Sequence, residues 1–89
     1  MRYADESHIS SVEDVTQFFH FLVEEEKVNF HPDDDFAEYV DDETQEPIFN
    51  NSEVKLYNRL MDECFAVCAE SNHSVYDLGL EVLLKYIRP

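Results

Sequence analysis

The chain has 89 residues, which suffices for one domain with one modest hydrophobic core. Apolar residues make up 44% of it, including seven phenylalanines and five tyrosines, so we expect it to fold despite a formal net charge of −15. Its six lysines and arginines are too few and too scattered for direct binding to nucleic acid or to an anionic membrane surface.

Glycine occurs once and proline three times, too few turn-forming residues for a sandwich or barrel of many short strands. Helices are therefore the expected elements. The apolar runs are all far shorter than the ~18 residues that suggest a membrane span, and the first residues lack the apolar core of a signal peptide. We expect a cytoplasmic protein.

The first predicted helix covers about residues 12–26. Ser11 and Asp14 stand at the spacing of a capping box, and apolar residues then recur every three or four positions. Three glutamates, residues 24–26, would lie at the negative end of the helix dipole, which favours fraying there. Residues 1–9 are expected to be flexible.

The acidic middle of the chain has two interpretations. Pro32 followed by three aspartates is a helix-start signal and predicts a short helix over about residues 33–40. The alternative is a short hairpin near residues 38–49. The side chains expected to fasten this segment to the core are Phe30, Phe36, Tyr39 and Val40.

The second half of the chain predicts two more helices. Asn50 and Glu53 form a capping-box signal that begins a long helix over about residues 51–70, and Asn72 can take the left-handed conformation that ends it. A last helix follows over about residues 75–87, where Gly79 suggests that another helix crosses closely. The prediction is an all-α fold, a small three- to four-helix bundle forming a single domain over residues 1–89.

No residue pattern supports catalysis or a cofactor. Cys64 and Cys68 lie four residues apart on the long helix, and their spacing to His73 matches no common zinc module, so we expect them to pack in the core. His20 is expected to be satisfied by a hydrogen-bond partner. A single glycine excludes the glycine-rich phosphate-binding loops. We expect a protein that is not an enzyme and holds no cofactor or metal.

The charge is concentrated in residues 24–46, where eleven acids and one lysine give a net charge of −10. Aligned from Asp33, this segment fails as a calcium loop, because Glu38 stands where glycine belongs and Thr44 where the bidentate glutamate belongs. The carboxylates that could form an acidic interaction face are Asp33, Asp34, Asp35, Glu38, Asp41, Asp42 and Glu43.

The functional hypothesis is a non-enzymatic protein–protein interaction module of a bacterial type, whose protein partner could be basic. The alternative is an inhibitor that mimics nucleic acid and occupies the basic groove of a DNA- or RNA-binding protein. Solvation alone also accounts for an acidic surface. Because twelve aromatic residues can exceed what so small a core hides, both a monomer and a homodimer are open.

Overall fold

Three α-helices form the frame of the protein in the computed structural model, which describes residues 3–87 apart from the side chain of Ile87. They are α1 (Val12–Glu24), α2 (Asn51–Glu70) and α3 (Val75–Ile87), with a 3-10 helix (Phe36–Glu38) before α2. Each pair of α-helices is in contact. Within residues 3–87 there is no β-strand, only one isolated antiparallel bridge between Val40 and Pro47. The predicted small helical bundle is confirmed.

Side-chain caps begin α1 and α2 where the sequence predicts them. The Asn50 Oδ1 atom accepts from the Glu53 N–H at 2.8 Å, and Glu53 Oε1 accepts from the Asn50 N–H at 3.0 Å, a complete capping box. Ser11 Oγ accepts from the Asp14 N–H at 3.1 Å. Each such cap stabilises its helix by about 1 kcal/mol. After α2, Asn72 takes a φ of 62°, as predicted.

Helix α1 ends at Glu24, two residues before the expected end. The N–H groups of Glu25 and Glu26 both donate to the Phe21 carbonyl, at 2.9 and 3.2 Å, and Lys27 then takes a left-handed φ of 56°. Consecutive glutamates interact unfavourably with the negative end of the helix dipole, which accounts for an early end.

Tyr57 of α2 lies at the centre of an aromatic core and is 3% exposed. Its hydroxyl donates to Glu26 Oε2 at 2.5 Å. Its ring centroid lies 5.3–6.1 Å from those of Phe18, Phe21, Phe36 and Phe49. Phe18 and Phe21 belong to α1 and Phe36 to the 3-10 helix, while Phe49 precedes the α2 cap, so the Tyr57 side chain joins α2 to α1 and to the segment between them.

The predicted helix over residues 33–40 is wrong in extent, because only Phe36–Glu38 are helical. The Asp35 side chain caps this single turn by accepting from the Ala37 N–H at 2.9 Å. Tyr39 is then extended, with a φ of −76° and a ψ of 121°, so the helix cannot continue. Of the predicted anchors in this region, Phe36 is buried, whereas Val40 is 39% exposed.

The hairpin alternative is realised only as a tight turn. The Asp41 N–H donates to the Glu46 carbonyl at 2.9 Å, and the Ile48 N–H donates to the Tyr39 carbonyl at 3.0 Å. Val40 and Pro47 are the non-hydrogen-bonded pair between these two bonds, so the backbone nitrogen of Pro47 faces away from the partner segment. The 3-10 helix ends just before Tyr39 and the α2 cap at Asn50 follows Phe49, which leaves little chain to extend the pairing. A single bridge forms instead of two strands.

Residues 3–9, in the part of the chain expected to be flexible, contact the core. Ile9 is buried, and the ring centroid of Tyr3 lies 5.3 Å from that of Phe18 and 5.0 Å from that of Phe21. Residues 1 and 2, which the same expectation covers, lie outside the described residues.

Arg59 and Glu63 on α2 hold this segment in place. Arg59 Nη2 donates to the carbonyls of Asp5 and Ser7 at 2.9 Å each, and Glu63 Oε1 accepts from the Ile9 N–H at 2.8 Å. The two side chains are also paired with each other, with Arg59 Nη1 at 2.6 Å from Glu63 Oε2. Backbone groups of the segment are thereby satisfied without a helix or strand.

Gly79 marks a close approach, although not of another helix as the sequence suggested. A Cβ atom at this position would lie 3.4 Å from Phe30 Cε2 and 3.6 Å from Pro32 Cγ. The neighbour of α3 here is therefore the extended segment after α1.

We expect Gly79→Ala to raise the free energy of unfolding by up to about 1 kcal/mol, because alanine favours a helix and its methyl group meets only ordinary van der Waals contacts. Gly79→Leu should lower it, since the longer side chain must displace Phe30. Urea unfolding of both variants checks this. A Gly79→Ala variant less stable than the wild type would show that the approach is too close for a methyl group.

We expect Glu63→Gln to lower the free energy of unfolding at neutral pH, and the difference from wild type to shrink in acid. Burial alone would raise the pKa of Glu63, but hydrogen bonds from the Ile9 N–H, Arg59 and His8 hold the pKa below its ordinary value of 4.5. A carboxylate with a lowered folded pKa stabilises the fold above its unfolded pKa, and this contribution disappears as pH falls through the folded pKa.

Urea unfolding of Glu63→Gln and the wild type, from neutral pH down through the folded pKa of Glu63, measures the difference in free energy of unfolding. The matched control is Glu46→Gln, which removes one carboxylate from an exposed turn. A Glu63→Gln effect that is the same at every pH would contradict the expectation.

Candidate functional site

The seven acidic residues singled out in the sequence do not share one surface. Asp33, Asp34 and Asp35 line a groove beside α2, whereas Asp41 and Asp42 line a different groove beside Lys27. The remaining two, Glu38 and Glu43, are exposed and line neither groove. On a short helix Asp34, Glu38 and Asp41 or Asp42 would line one face, but this row is absent because only Phe36–Glu38 are helical.

The first of these grooves, called the acidic groove below, has a volume of about 430 Å³. It runs between the segment that precedes the 3-10 helix and the middle of α2. Its lining residues are Pro32, Asp33, Asp34, Asp35, Asn58, Met61, Asp62 and Phe65. Four aspartates thus line it without a lysine, arginine or histidine among the lining residues.

Asn58 fastens the acidic segment to α2. Its Oδ1 atom accepts from the Phe36 N–H at 3.1 Å, and its Nδ2 atom donates to Asp35 Oδ1 at 2.9 Å. Asp35 also accepts from the Ala37 N–H, and this bond, followed by the one from Asn58, lowers the pKa of Asp35. Asp35 is therefore a fixed negative charge at neutral pH.

Two tyrosines hold the other aspartates of the run. The Tyr76 hydroxyl, on α3, donates to Asp33 Oδ1 at 2.7 Å, and the Tyr39 hydroxyl donates to Asp34 Oδ2 at 3.0 Å. The bond to Asp33 raises the pKa of Tyr76, while burial and then the bond to Asp34 raise the pKa of Tyr39. Both phenols consequently stay protonated as donors.

Asp62 is a residue of this groove that the sequence reasoning missed. It stands one helical turn after Asn58 on α2, and Phe65 follows at the same face three residues later. The spacing was visible in the sequence, but nothing in it indicated that the acidic segment packs against this face. The charge density of the site therefore comes from two separate parts of the chain.

Asp41 has a structural role in the second groove. Its Oδ1 atom accepts from the N–H groups of Glu43 and Thr44, at 2.8 and 3.1 Å, which lowers the pKa of Asp41. The turn also places Gln45 at a left-handed φ of 62°. With Lys27 beside it, this groove is less one-sided in charge than the acidic groove.

The chemistry of the acidic groove suits an elongated organic cation. Among residues 3–87, no group of three or more histidine, cysteine, aspartate or glutamate side chains is arranged to hold a metal ion. The half-buried Phe65 adds apolar surface to the lining, with the buried Met61 beside it. A lysine or arginine side chain has the matching form, with an apolar stem and a charged head that carboxylates bind through charge-assisted hydrogen bonds.

The other candidate residues have ordinary packing roles. Cys64 and Cys68 are buried free thiols, as predicted, and burial raises the pKa of the Cys64 thiol. The half-buried His20 has its Nδ1 atom 2.9 Å from the Tyr86 hydroxyl oxygen, which supplies the expected partner.

Comparison of this chain with models of protein families, with curated proteins and with solved structures gives no match. None of the helices within residues 3–87 is both long and apolar enough to cross a bilayer.

We expect Asn58→Asp to lower the free energy of unfolding at neutral pH and to recover part of the loss in acid. The new carboxylate can still accept from the Phe36 N–H, but it cannot donate to Asp35 and repels it at hydrogen-bond distance. Protonation of either carboxyl group restores a donor. Urea unfolding near neutral pH and in acid, with hydrogen exchange at the Phe36 amide, measures both effects.

Asn58→Ala is the control for this comparison. It removes both bonds and leaves a part-buried N–H without its acceptor, which costs about 1–2 kcal/mol without recovery in acid. An Asn58→Asp variant as stable as the wild type at neutral pH would show that Asn58 does not hold the acidic segment.

Proposed function

We propose that the protein is a non-enzymatic interaction module that binds a basic segment of a partner protein in the acidic groove. The observation that carries this proposal is the concentration of four aspartates in the lining, with no basic lining residue, beside the half-buried ring of Phe65. A lysine or arginine side chain inserted there would gain both an electrostatic partner and apolar contact for its stem.

Preorganisation of the carboxylates supports a binding role over simple solvation. Asp33, Asp34 and Asp35 each accept a hydrogen bond from a side chain of another part of the fold or of the same segment. Side chains held before binding lose less conformational entropy when a partner arrives. A face that served only solubility has no need for such fixed positions.

The charge of the whole chain favours the same type of partner. A net charge of −15, with −10 of it in residues 24–46, attracts basic surfaces and raises their rate of association. This attraction weakens with salt, because the Debye length falls from about 10 Å at about 0.1 M to about 3 Å at about 1 M ionic strength.

The test is affinity capture from a cell lysate with three forms of the protein as bait, at low and at high salt. We expect the wild type to retain a basic protein at low salt and release it at high salt. The Asp34→Asn/Asp62→Asn variant should lose at least about tenfold in affinity for that protein, because it lacks two of the carboxylates that would pair with the partner's basic side chains.

The matched control is Glu43→Gln/Glu46→Gln, which removes the same two charges from the exposed turn outside the acidic groove. Equal losses in the two variants would contradict the groove and leave only general attraction. Retention of nothing at low salt would contradict the proposal as a whole. Release of the captured protein by excess DNA or RNA would instead support the nucleic-acid mimic, the alternative function.

A further inference from the structure

Helix α3 exposes an apolar stripe to solvent. Tyr76, Leu80 and Leu84 are 46%, 56% and 41% exposed, and their spacing of four residues places them along one side of the helix. Three large apolar side chains in a row, spanning about 12 Å, differ from the single exposed apolar residues that any surface carries.

A groove lies beside this stripe, between α3 and the extended segment after α1. We call it the α3 groove; its volume is about 240 Å³. Gly79 is part of it, and apolar side chains form most of its lining. These lining residues are Phe30, His31, Pro32, Tyr76, Gly79, Leu80 and Leu83.

The α3 groove adjoins the acidic groove at Tyr76. Pro32 lines both grooves, and the ring of Tyr76 lies between Phe65 of the acidic groove and His31 of the α3 groove, 5.9 Å from each centroid to centroid. The Tyr76 hydroxyl donates to Asp33. The apolar α3 groove and the negatively charged acidic groove are therefore adjacent, with the Tyr76 side chain between them.

We infer that the two grooves together hold one amphipathic helix of the partner protein. Its apolar face would lie along Leu80 and Leu84, and its lysine or arginine side chains would enter the acidic groove. This inference rests on the proposed function and adds the form of the partner. Charge complementarity supports a basic occupant, because the exposed Asp77 and Glu81 follow Tyr76 and Leu80 on α3 and Asp33 is bonded to Tyr76, against one basic residue of α3, Lys85.

A helix is the form that this surface fits. A β-strand partner needs an open strand edge, and residues 3–87 offer only the isolated bridge of Val40 and Pro47. The spacing of Tyr76, Leu80 and Leu84 instead gives the parallel row of side chains that helix-in-groove recognition uses. A second copy of this chain is disfavoured as occupant, since it would bring another −15 charges against the same carboxylates.

The test uses a synthetic peptide of about 18 residues, or about 27 Å as a helix, in which leucines form one helical face and lysines the other. A second peptide has the same composition in an order without a helical face. Binding to the full chain is measured by titration calorimetry, and the contacted residues by amide NMR shifts. We expect the first peptide to bind at least about tenfold more tightly than the second and to shift amides along α3.

Leu80→Asn should weaken binding of the first peptide at least about tenfold, and Ile48→Asn, which removes another exposed apolar side chain far from α3 in sequence, should not. Circular dichroism confirms that both variants fold. Equal affinity for the two peptides, or an unaffected Leu80→Asn variant, would overturn the inference, and so would sedimentation showing a dimer that Leu80→Asn dissociates.

The same peptides separate this inference from the proposed function. If both peptides bind equally and Asp34→Asn/Asp62→Asn weakens both, the acidic groove binds cations but the partner is not selected as a helix. If the double variant has no effect on either peptide while Leu80→Asn does, the acidic groove is not the site of charge recognition, and the proposed function fails.

Discussion

The structure depends on the environment of Tyr57. Its ring contacts four phenylalanines from three parts of the chain, and its hydroxyl bonds to Glu26, just after α1. The buried apolar side chains of residues 3–87 form one cluster, as expected for a chain of this length, and the connections between helices pack on it. The aromatic contacts of Phe36 and Phe49 with this tyrosine therefore determine where the acidic segment enters and leaves the core.

This anchoring converts a run of acids into an ordered surface. Asp35 lies immediately before the buried Phe36, so the ring that packs against Tyr57 also brings Asp35 within reach of Asn58. Tyr76 and Tyr39 then fix the two aspartates before it. Repulsion among the neighbouring carboxylates opposes such an arrangement. The arrangement persists because burial of the apolar side chains on either side stabilises it by more than the repulsion between exposed charges destabilises it.

The helices could be predicted from the sequence because their signals are local. The Asn50–Glu53 box and the left-handed Asn72 depend on neighbouring residues alone, and both appear as expected. The prediction of a helix over residues 33–40 failed in extent. Its acids and proline resemble a helix start, but Tyr39 is instead hydrogen-bonded to Ile48 across a turn, which local sequence signals do not indicate. The site could be predicted only in part for the same reason: Asp62 joins Asp33 through packing between distant segments.

Binding of a basic partner would act on stability as well as on charge. A ligand that binds only the folded state stabilises it in proportion to the logarithm of its concentration over its dissociation constant. In this protein a cation in the acidic groove would also offset repulsion between Asp62 on α2 and the aspartates of residues 33–35, which face the same space. Under the proposed function, the charge that opposes folding of the free chain is thus the same charge that recognises the partner.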